Sequence, residues 1–423
     1  MTATTEHDLE SLQRRVRRIL ILGQVMSGIG MGATLSMGAI LASRLSGSEA
    51  WSGMAATMAT LGAALAAVPL ARLASRSGRR ISLFTGALLA SSGAVITIVS
   101  TMVEFFPLLL VGLALIGVGT AVNLQSRFAA TDIANDTTRS RDLSLVVWAT
   151  TVGAVSGPNL VTPGEQLGGF LGLPELSGPF VFTLAAQALA AIVYFVGLRP
   201  DPLLLAQQLS RDPSSASAQS LGPRVDNVVV ARTAIISIAL SHATMVAVMA
   251  MTPVHLVNHG ASLAIVGFTI SLHIAGMYAL APVFGILSDR IGRIPTILVG
   301  QAILLASLLV TGFGSENETA VVIGLVLLGL GWSAATVAGS TLLSESTIIE
   351  KRAARQGVSD LVMSGSGAAG GALAGVVLAF LGYSGLSFVA VALVAGVVVR
   401  IVLTRRSPVE STVGVAEPIT YDI

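Results

Sequence analysis

The chain has 423 residues, 53% of them hydrophobic and only 11% charged, with a mean hydropathy of +0.83. Soluble domains carry roughly a quarter charged residues, so a soluble globular fold is excluded. The net charge of +2 and isoelectric point near 9.4 come from arginines gathered in the gaps between apolar stretches, which reports membrane topology and not nucleic-acid binding. With no cysteine, thiolate and disulfide chemistry are absent.

The chain opens on a polar segment, 1–18, ending in Arg14, Arg15, Arg17 and Arg18. Twelve apolar windows follow, at about 19–41, 53–73, 81–101, 106–127, 143–161, 180–197, 233–257, 263–287, 295–313, 320–342, 358–380 and 386–403. Each approaches the ~20 residues that cross a bilayer, and lipid forces each to be a helix because its backbone groups find no other partners. The first window lacks a small-residue cleavage site after a short apolar core, so it is expected to be a retained span and not a signal peptide. Basic residues cluster at the N-terminus, around Arg76, Arg79 and Arg80, at Arg139 and Arg141, through 199–232, around Arg290 and Arg293, at Lys351, Arg352 and Arg355, and at Arg405 and Arg406. These are alternate gaps, and the positive-inside rule then puts both termini in the cytoplasm. The expected fold is an all-α membrane protein with twelve transmembrane helices in two six-helix halves, 19–198 and 233–403. A cytoplasmic linker, 199–232, joins them, and a cytoplasmic tail, 404–423, ends the chain. A multi-pass protein of the bacterial cytoplasmic membrane follows, in contact with the lipid bilayer, binding no nucleic acid and expected to act as a monomer.

Several glycine-rich faces read as places where helices pack closely: Gly28, Gly30 and Gly32 in the first span, and Gly365, Gly367, Gly370, Gly371 and Gly375 in the eleventh. In the fifth, Gly153-Ala154-Val155-Ser156-Gly157-Pro158 reads as a kinked, closely packed helix, and also resembles part of the helix-five antiporter motif of the family named below. No strand precedes any of them, so a phosphate-binding loop is excluded. Ala71–Arg80 and Gly285–Arg293 align at an offset of 214, which indicates two related halves.

Ionisable residues inside a membrane mark function. No Asp or Glu falls near the centre of a span; Glu104, Asp289 and Asp360 sit at span ends. Four of the five histidines, His242, His255, His259 and His273, lie in the seventh and eighth spans. Met245 and Met249 share one face of the seventh span at i,i+4, and His273 and Met277 do the same in the eighth. Counted at ~1.5 Å per residue along antiparallel helices, Met249 comes level with His273 and Met245 with Met277. Thioethers and a neutral imidazole suit Cu(I), and the two spans offer no carboxylate to a hard cation. His242 lies near the same face; His255 and His259 border the outer loop, as structural groups or for loose metal capture. Met54 and Met58 read as packing, and Met26 and Met31 carry no distinguishing mark. Asn123, Asn159, Gln187 and Trp148 offer polar or stacking contacts to an organic ligand, or contacts between helices. No catalytic triad or carboxylate pair is present, so no enzymatic activity and no resident cofactor are expected.

The loop Gly285, Asp289, Arg290, Gly292 and Arg293 resembles the G-x-x-x-D-R-x-G-R motif of the major facilitator superfamily, and Arg76, Gly78 and Arg79 match it in the first half. The resemblance spans all twelve windows and implies secondary transport by alternating access, with these loops as gating elements. Ala71 and Ser75 stand where the motif has glycine and aspartate, so the inner gate is expected to be held there more weakly or by other groups. More narrowly, M-x-x-x-M in span seven with H-x-x-x-M in span eight resembles the CcoA-like copper importers, as do Arg127–Asp132 and Gly157–Leu160. That resemblance implies copper import, with Met245 and His273 as principal ligands and Met249 and Met277 in support. The same group includes relatives proposed to carry riboflavin, so the alternative cargo is a small organic molecule, riboflavin-like or drug-like.

Overall fold

The computed structural model describes residues 6–48, 51, 54–211 and 226–406, of which 6–7, 31–36, 154–159, 263–264 and 405–406 are described in backbone only. Thirteen helices and no strand occur among the described residues: α1 Glu6–Ser46, α2 Met54–Met102, α3 Phe106–Ala129, α4 Arg139–Asn159, α5 Val161–Phe170, α6 Pro179–Gly197, α7 Pro202–Ser210, α8 Val228–Asn258, α9 Leu263–Tyr278, α10 Ala281–Ile291, α11 Arg293–Phe313, α12 Glu318–Glu345 and α13 Ile349–Arg406. Eight stretches among them are long and apolar enough to cross a membrane.

α2 and α13 hold 49 and 58 residues. A straight helix of that length would run well over twice the ~30 Å hydrocarbon core. Each is broken instead by one glycine with positive φ, Gly78 at 86° and Gly382 at 68°, a conformation open to glycine at little cost. At Gly78 the chain folds back, and Ser82 Oγ donates to Leu70 O across the turn at 2.7 Å.

Two expected boundaries move. α1 runs unbroken from Glu6 through the expected edge at 18, because its first turns are docked: Gln13 donates to Ala130 O at 2.8 Å and to Asp142 at 2.7 Å, and Arg17 pairs with Asp142. The segment 199–232 is not a plain linker. α7 forms within it, N-capped by Asp201, which accepts from Leu203 and Leu204 N–H. Asp201 also accepts from Arg80 N–H at 2.7 Å. A Cβ on Gly78 would meet its carboxylate at 2.3 Å, so only glycine fits there. The expected Asp212–Ser217 stretch lies outside the described residues.

Apolar side chains cover the outside, with Leu65, Phe170, Phe313 and Phe380 each more than 60% exposed, as a lipid-facing surface requires. The interior packs through small residues. A Cβ on Gly153 would lie 2.4 Å from Gly28 Cα, so α1 and α4 touch along backbone at these two small residues.

The second half is clasped where α8 begins. Arg355 donates to both Asp226 oxygens at 2.5 and 2.8 Å, and Asn227 N–H donates to Ser346 O. The Arg355 hydrogen bonds hold the Asp226 carboxyl below the usual carboxylate range. A lowered pKa stabilises fully above the unfolded value of about 3.9 and loses that stability as pH falls through the folded value. Asp226→Asn should therefore cost about 0.5–1 kcal/mol at pH 7, for a pair this near water, read as a lower apparent melting temperature. The difference should close once the pH falls through the lowered folded value; a difference that persists in strong acid would assign the loss to packing instead.

Candidate functional site between the two halves

At the end of the bundle that the charge pattern assigns to the cytoplasm, polar side chains bind the first half (through Arg211) to the second (from Asp226). Asp289, ending α10, accepts from Ser140 N–H at 3.2 Å and Arg141 N–H at 3.0 Å, the first free donors of α4. A carboxylate at a helix N-terminus is favoured by the helix dipole. Arg293 completes this corner, donating to Asp289 at 2.9 Å and to Glu345 at 2.7 Å, while Arg139 reaches the same Glu345 at 3.4 Å. Gly292, at φ 97°, turns the chain between Asp289 and Arg293. Arg76 and Arg290 are exposed.

On the pseudo-symmetric side, Ser75 supplies no carboxylate and other groups take over. Arg79 donates to both oxygens of Asp132 at 2.8 and 3.2 Å, and to Gln356 of α13 at 2.5 Å. Deeper, Arg127 of α3 donates to Asp360 of α13 at 2.7 Å, with both side chains 3% exposed or less. Two small-residue contacts set the spacing. A Cβ on Gly285 would lie 2.1 Å from Ser144 Oγ, and one on Gly357 would lie 2.2 Å from Ala71 Cβ. Here the glycine has changed sides, standing on α13 where the repeat would place it on α2, so Ala71 is compatible with an equally close approach.

Above these pairs lies a cluster of rings. His242 Nδ1 accepts from Trp332 Nε1–H at 3.0 Å, and Tyr278 stands edge-on to Trp332 with centroids 5.8 Å apart. The three come from α8, α12 and α9. Leu143 and Val147 of α4 pack with Tyr278, and Leu124 of α3 packs into the cluster that holds Trp332, so both halves contribute. Arg127 lies close enough for its charge to act on His242 and Tyr278. Gly367 of α13 leaves room for the imidazole, since a Cβ there would meet His242 Cδ2 at 2.7 Å.

The expected Met–His residues lie together in the second half. α8 and α9 touch, but each packs more extensively on α12. Met245 and Met277 are buried, Met249 is half-buried, and all three belong to one apolar cluster within the second half. His273 is fully buried. Its Nδ1 is 2.8 Å from Leu325 O, which makes that nitrogen the donor; Nε2 is left as a buried acceptor with no hydrogen-bond partner. α9 approaches α12 this closely because Gly329 is bare: a Cβ there would meet His273 O at 2.5 Å. Among the described residues no group of three or more His, Asp or Glu forms a metal site, so an ion here would rely on thioethers.

The remaining positions divide clearly. His255 Nε2 bonds Ser315 O at 2.8 Å and its ring stacks on Tyr383, and His259 faces Glu316 at 3.4 Å; they tie the outer end of α8 to the α11–α12 turn. Gln187 is buried against Ser27, in a contact between helices. Trp148 is exposed. Met26 and Met58 pack on apolar clusters, whereas the side chains of Met31 and Asn159 lie outside those described. Reading the sequence singled out His242 but missed Trp332, Tyr278 and the Arg127–Asp360 pair. The spacing within one helix does not show partners brought in from three others.

The family model of the Major Facilitator Superfamily matches residues 20–257 and 233–420. The chain is 37% identical over 395 residues to the uncharacterized MFS-type transporter YdeG of Bacillus subtilis (strain 168), covering 92% of this chain and 90% of that protein. It is 26% identical over 400 residues to the riboflavin transporter RfnT of Brucella anthropi, covering 93% and 96%. Among solved structures, the human organic anion transporter MFSD10 superposes with a TM-score of 0.72 at 15% identity, covering 93% of this chain and 99% of that one.

Proposed function

The chain belongs to the Major Facilitator Superfamily, secondary transporters and not enzymes, and from that premise we propose that its cargo is a small planar heteroaromatic molecule of the flavin type, moved inward across the bacterial cytoplasmic membrane. The observation that carries this reading is the His242–Trp332–Tyr278 ring cluster at the seam between the halves. Rings offer stacking faces to a flat ligand, and an imidazole and a phenol offer hydrogen bonds at its edge. The likeness to a riboflavin transporter over nearly the whole chain supports the same class. In this reading twelve spans and cytoplasmic termini place the charged seam as the inner gate, with Asp289, Arg293 and Arg79 at its centre.

The test is uptake of labelled riboflavin by a transport-deficient bacterial host expressing the chain. Saturable uptake is expected, competed by excess flavin and indifferent to a Cu(I) chelator. Trp332→Ala should weaken it about tenfold, as loss of ~1.4 kcal/mol of ring contact dictates. Uptake unchanged in Trp332→Ala and His242→Ala would remove the ring cluster from the binding site.

Copper is the second reading, favoured by the unpartnered His273 Nε2 beside the cluster of Met245, Met249 and Met277. It expects chelator-sensitive copper uptake lost in His273→Ala and Met245→Ala, with riboflavin without effect.

A further inference from the structure

The acids of the inner seam differ in how fully they are bound. Asp132 receives Arg79 on both oxygens. Asp289 accepts from two backbone N–H groups and Arg293. Glu345 takes Arg293 on both oxygens. Asp360 is bound on one side only: Oδ1 accepts from Arg127, whereas Oδ2 is buried with no hydrogen-bond partner. Arg127 Nε is likewise buried without one, and its Nη2 lies 3.8 Å from Met363 S. This pair also joins the halves, Arg127 on α3 and Asp360 on α13.

Opening the seam must separate that pair. Parting two bare charges in a low-dielectric interior is strongly disfavoured, because each loses its partner before water replaces it. A proton on Oδ2 converts the carboxylate to a neutral acid without displacing any existing bond, and Arg127 alone keeps its charge. We infer that Asp360 is the proton-carrying residue of this transporter: it takes a proton from the outer side while the inner seam is closed, lets the halves part, and releases the proton to the cytoplasm before the pair re-forms. Each cycle then moves one proton inward.

The groups around Asp360 fit this assignment. Arg127 faces it from α3 and Arg79 acts on it from α2; Arg79 is itself neutralised by Asp132. Gln356 and Arg352 lie on its own helix, Arg352 among the charges of Arg79, Asp132, Asp136 and Arg139. On α8, His242 is turned to Trp332. A carboxylate therefore sits between arginines with one oxygen left open.

The natural chain has no cysteine, so single thiols report cleanly. Ser344→Cys places one on the buried seam, where Ser344 bonds Thr131 and Gln356, and Arg15→Cys places a reference on the exposed start of α1. The ratio of their maleimide labelling rates cancels the thiol's own pH dependence and needs no cargo, so it decides this inference whether or not the flavin reading stands. With Asp360 present, the ratio should rise on acidification by up to about tenfold per pH unit, as for a one-proton equilibrium; a flat profile overturns the inference. In Asp360→Asn the ratio should be high at every pH, and a surviving acid rise would assign the proton to another group. In proteoliposomes loaded with a pH gradient and offered riboflavin, Asp360→Asn should let the inside only equal the outside; concentration as in the natural chain overturns the inference. Should that variant fail to insert, Asp360→Ser in its place should give the same high, flat ratio, and an acid rise that survives there overturns the inference.

Discussion

Gly285→Ala should cut transport by about tenfold or more, although it adds one methyl group, and Ser144→Gly should restore only the part due to the serine side chain. The added Cβ would lie 2.1 Å from Ser144 Oγ and 2.8 Å from Ser140 O. The backbone oxygen cannot swing away, so α4 and α10 must move apart. Overpacking of this kind costs about 1–3 kcal/mol, and ~1.4 kcal/mol is tenfold in an equilibrium. Here the strain exists only while the seam is closed, so it shifts the balance between open and closed states and leaves each half folded. Moving the helices also draws Asp289 from the N–H groups of Ser140 and Arg141. Gly357→Ala should act alike on the other side, with Ala71→Gly as its compensating change. Measured uptake and Ser344→Cys labelling should change together; a Gly285→Ala protein that transports normally would show that the two helices never need this approach.

Arg79→Gln should cause the larger loss of stability, about 3–5 kcal/mol, because it strands Asp132 as an uncompensated buried charge. Asp132 is fully buried, and Arg79 satisfies both its oxygens. The same guanidinium reaches Gln356, so the substitution loosens the first half and its grip on α13 together. Asp132→Asn alone should also destabilise, leaving the arginine unpaired, whereas the double variant should recover part of the loss. A double-mutant cycle on the apparent melting temperature in detergent measures this coupling, and purely additive effects would mean that the pair contributes no interaction of its own.

These effects concern groups whose importance is unevenly legible in the chain. The seam residues Gly285, Asp289, Gly292 and Arg293 could be read directly, because a glycine at positive φ and a carboxylate capping a helix are local requirements that leave a fixed spacing. Arg79 was legible through the repeat, but its partner Asp132 was not: the two are 53 residues apart and nothing periodic links them. The departure at Ala71 could be seen but not its compensation, since the space released by a missing glycine is restored by Gly357 on a helix far away in sequence.

Composition and charge spacing by themselves determined that this is an all-helical membrane protein built from two related halves, because lipid leaves an apolar backbone no other way to satisfy its polar groups and arginine resists crossing. The i,i+4 pairs of Met245, Met249, His273 and Met277 were equally visible, since one helix sets that spacing. Which faces meet was decided only in three dimensions. α12 packs on both α8 and α9, accepts the His273 hydrogen bond at Leu325 O, and brings Trp332 to His242. The physical reason is that a helix presents several faces of nearly equal apolarity to its surroundings. Small residues such as Gly329 and Gly367, by admitting one neighbour's backbone or ring and no other's, select the face that is used.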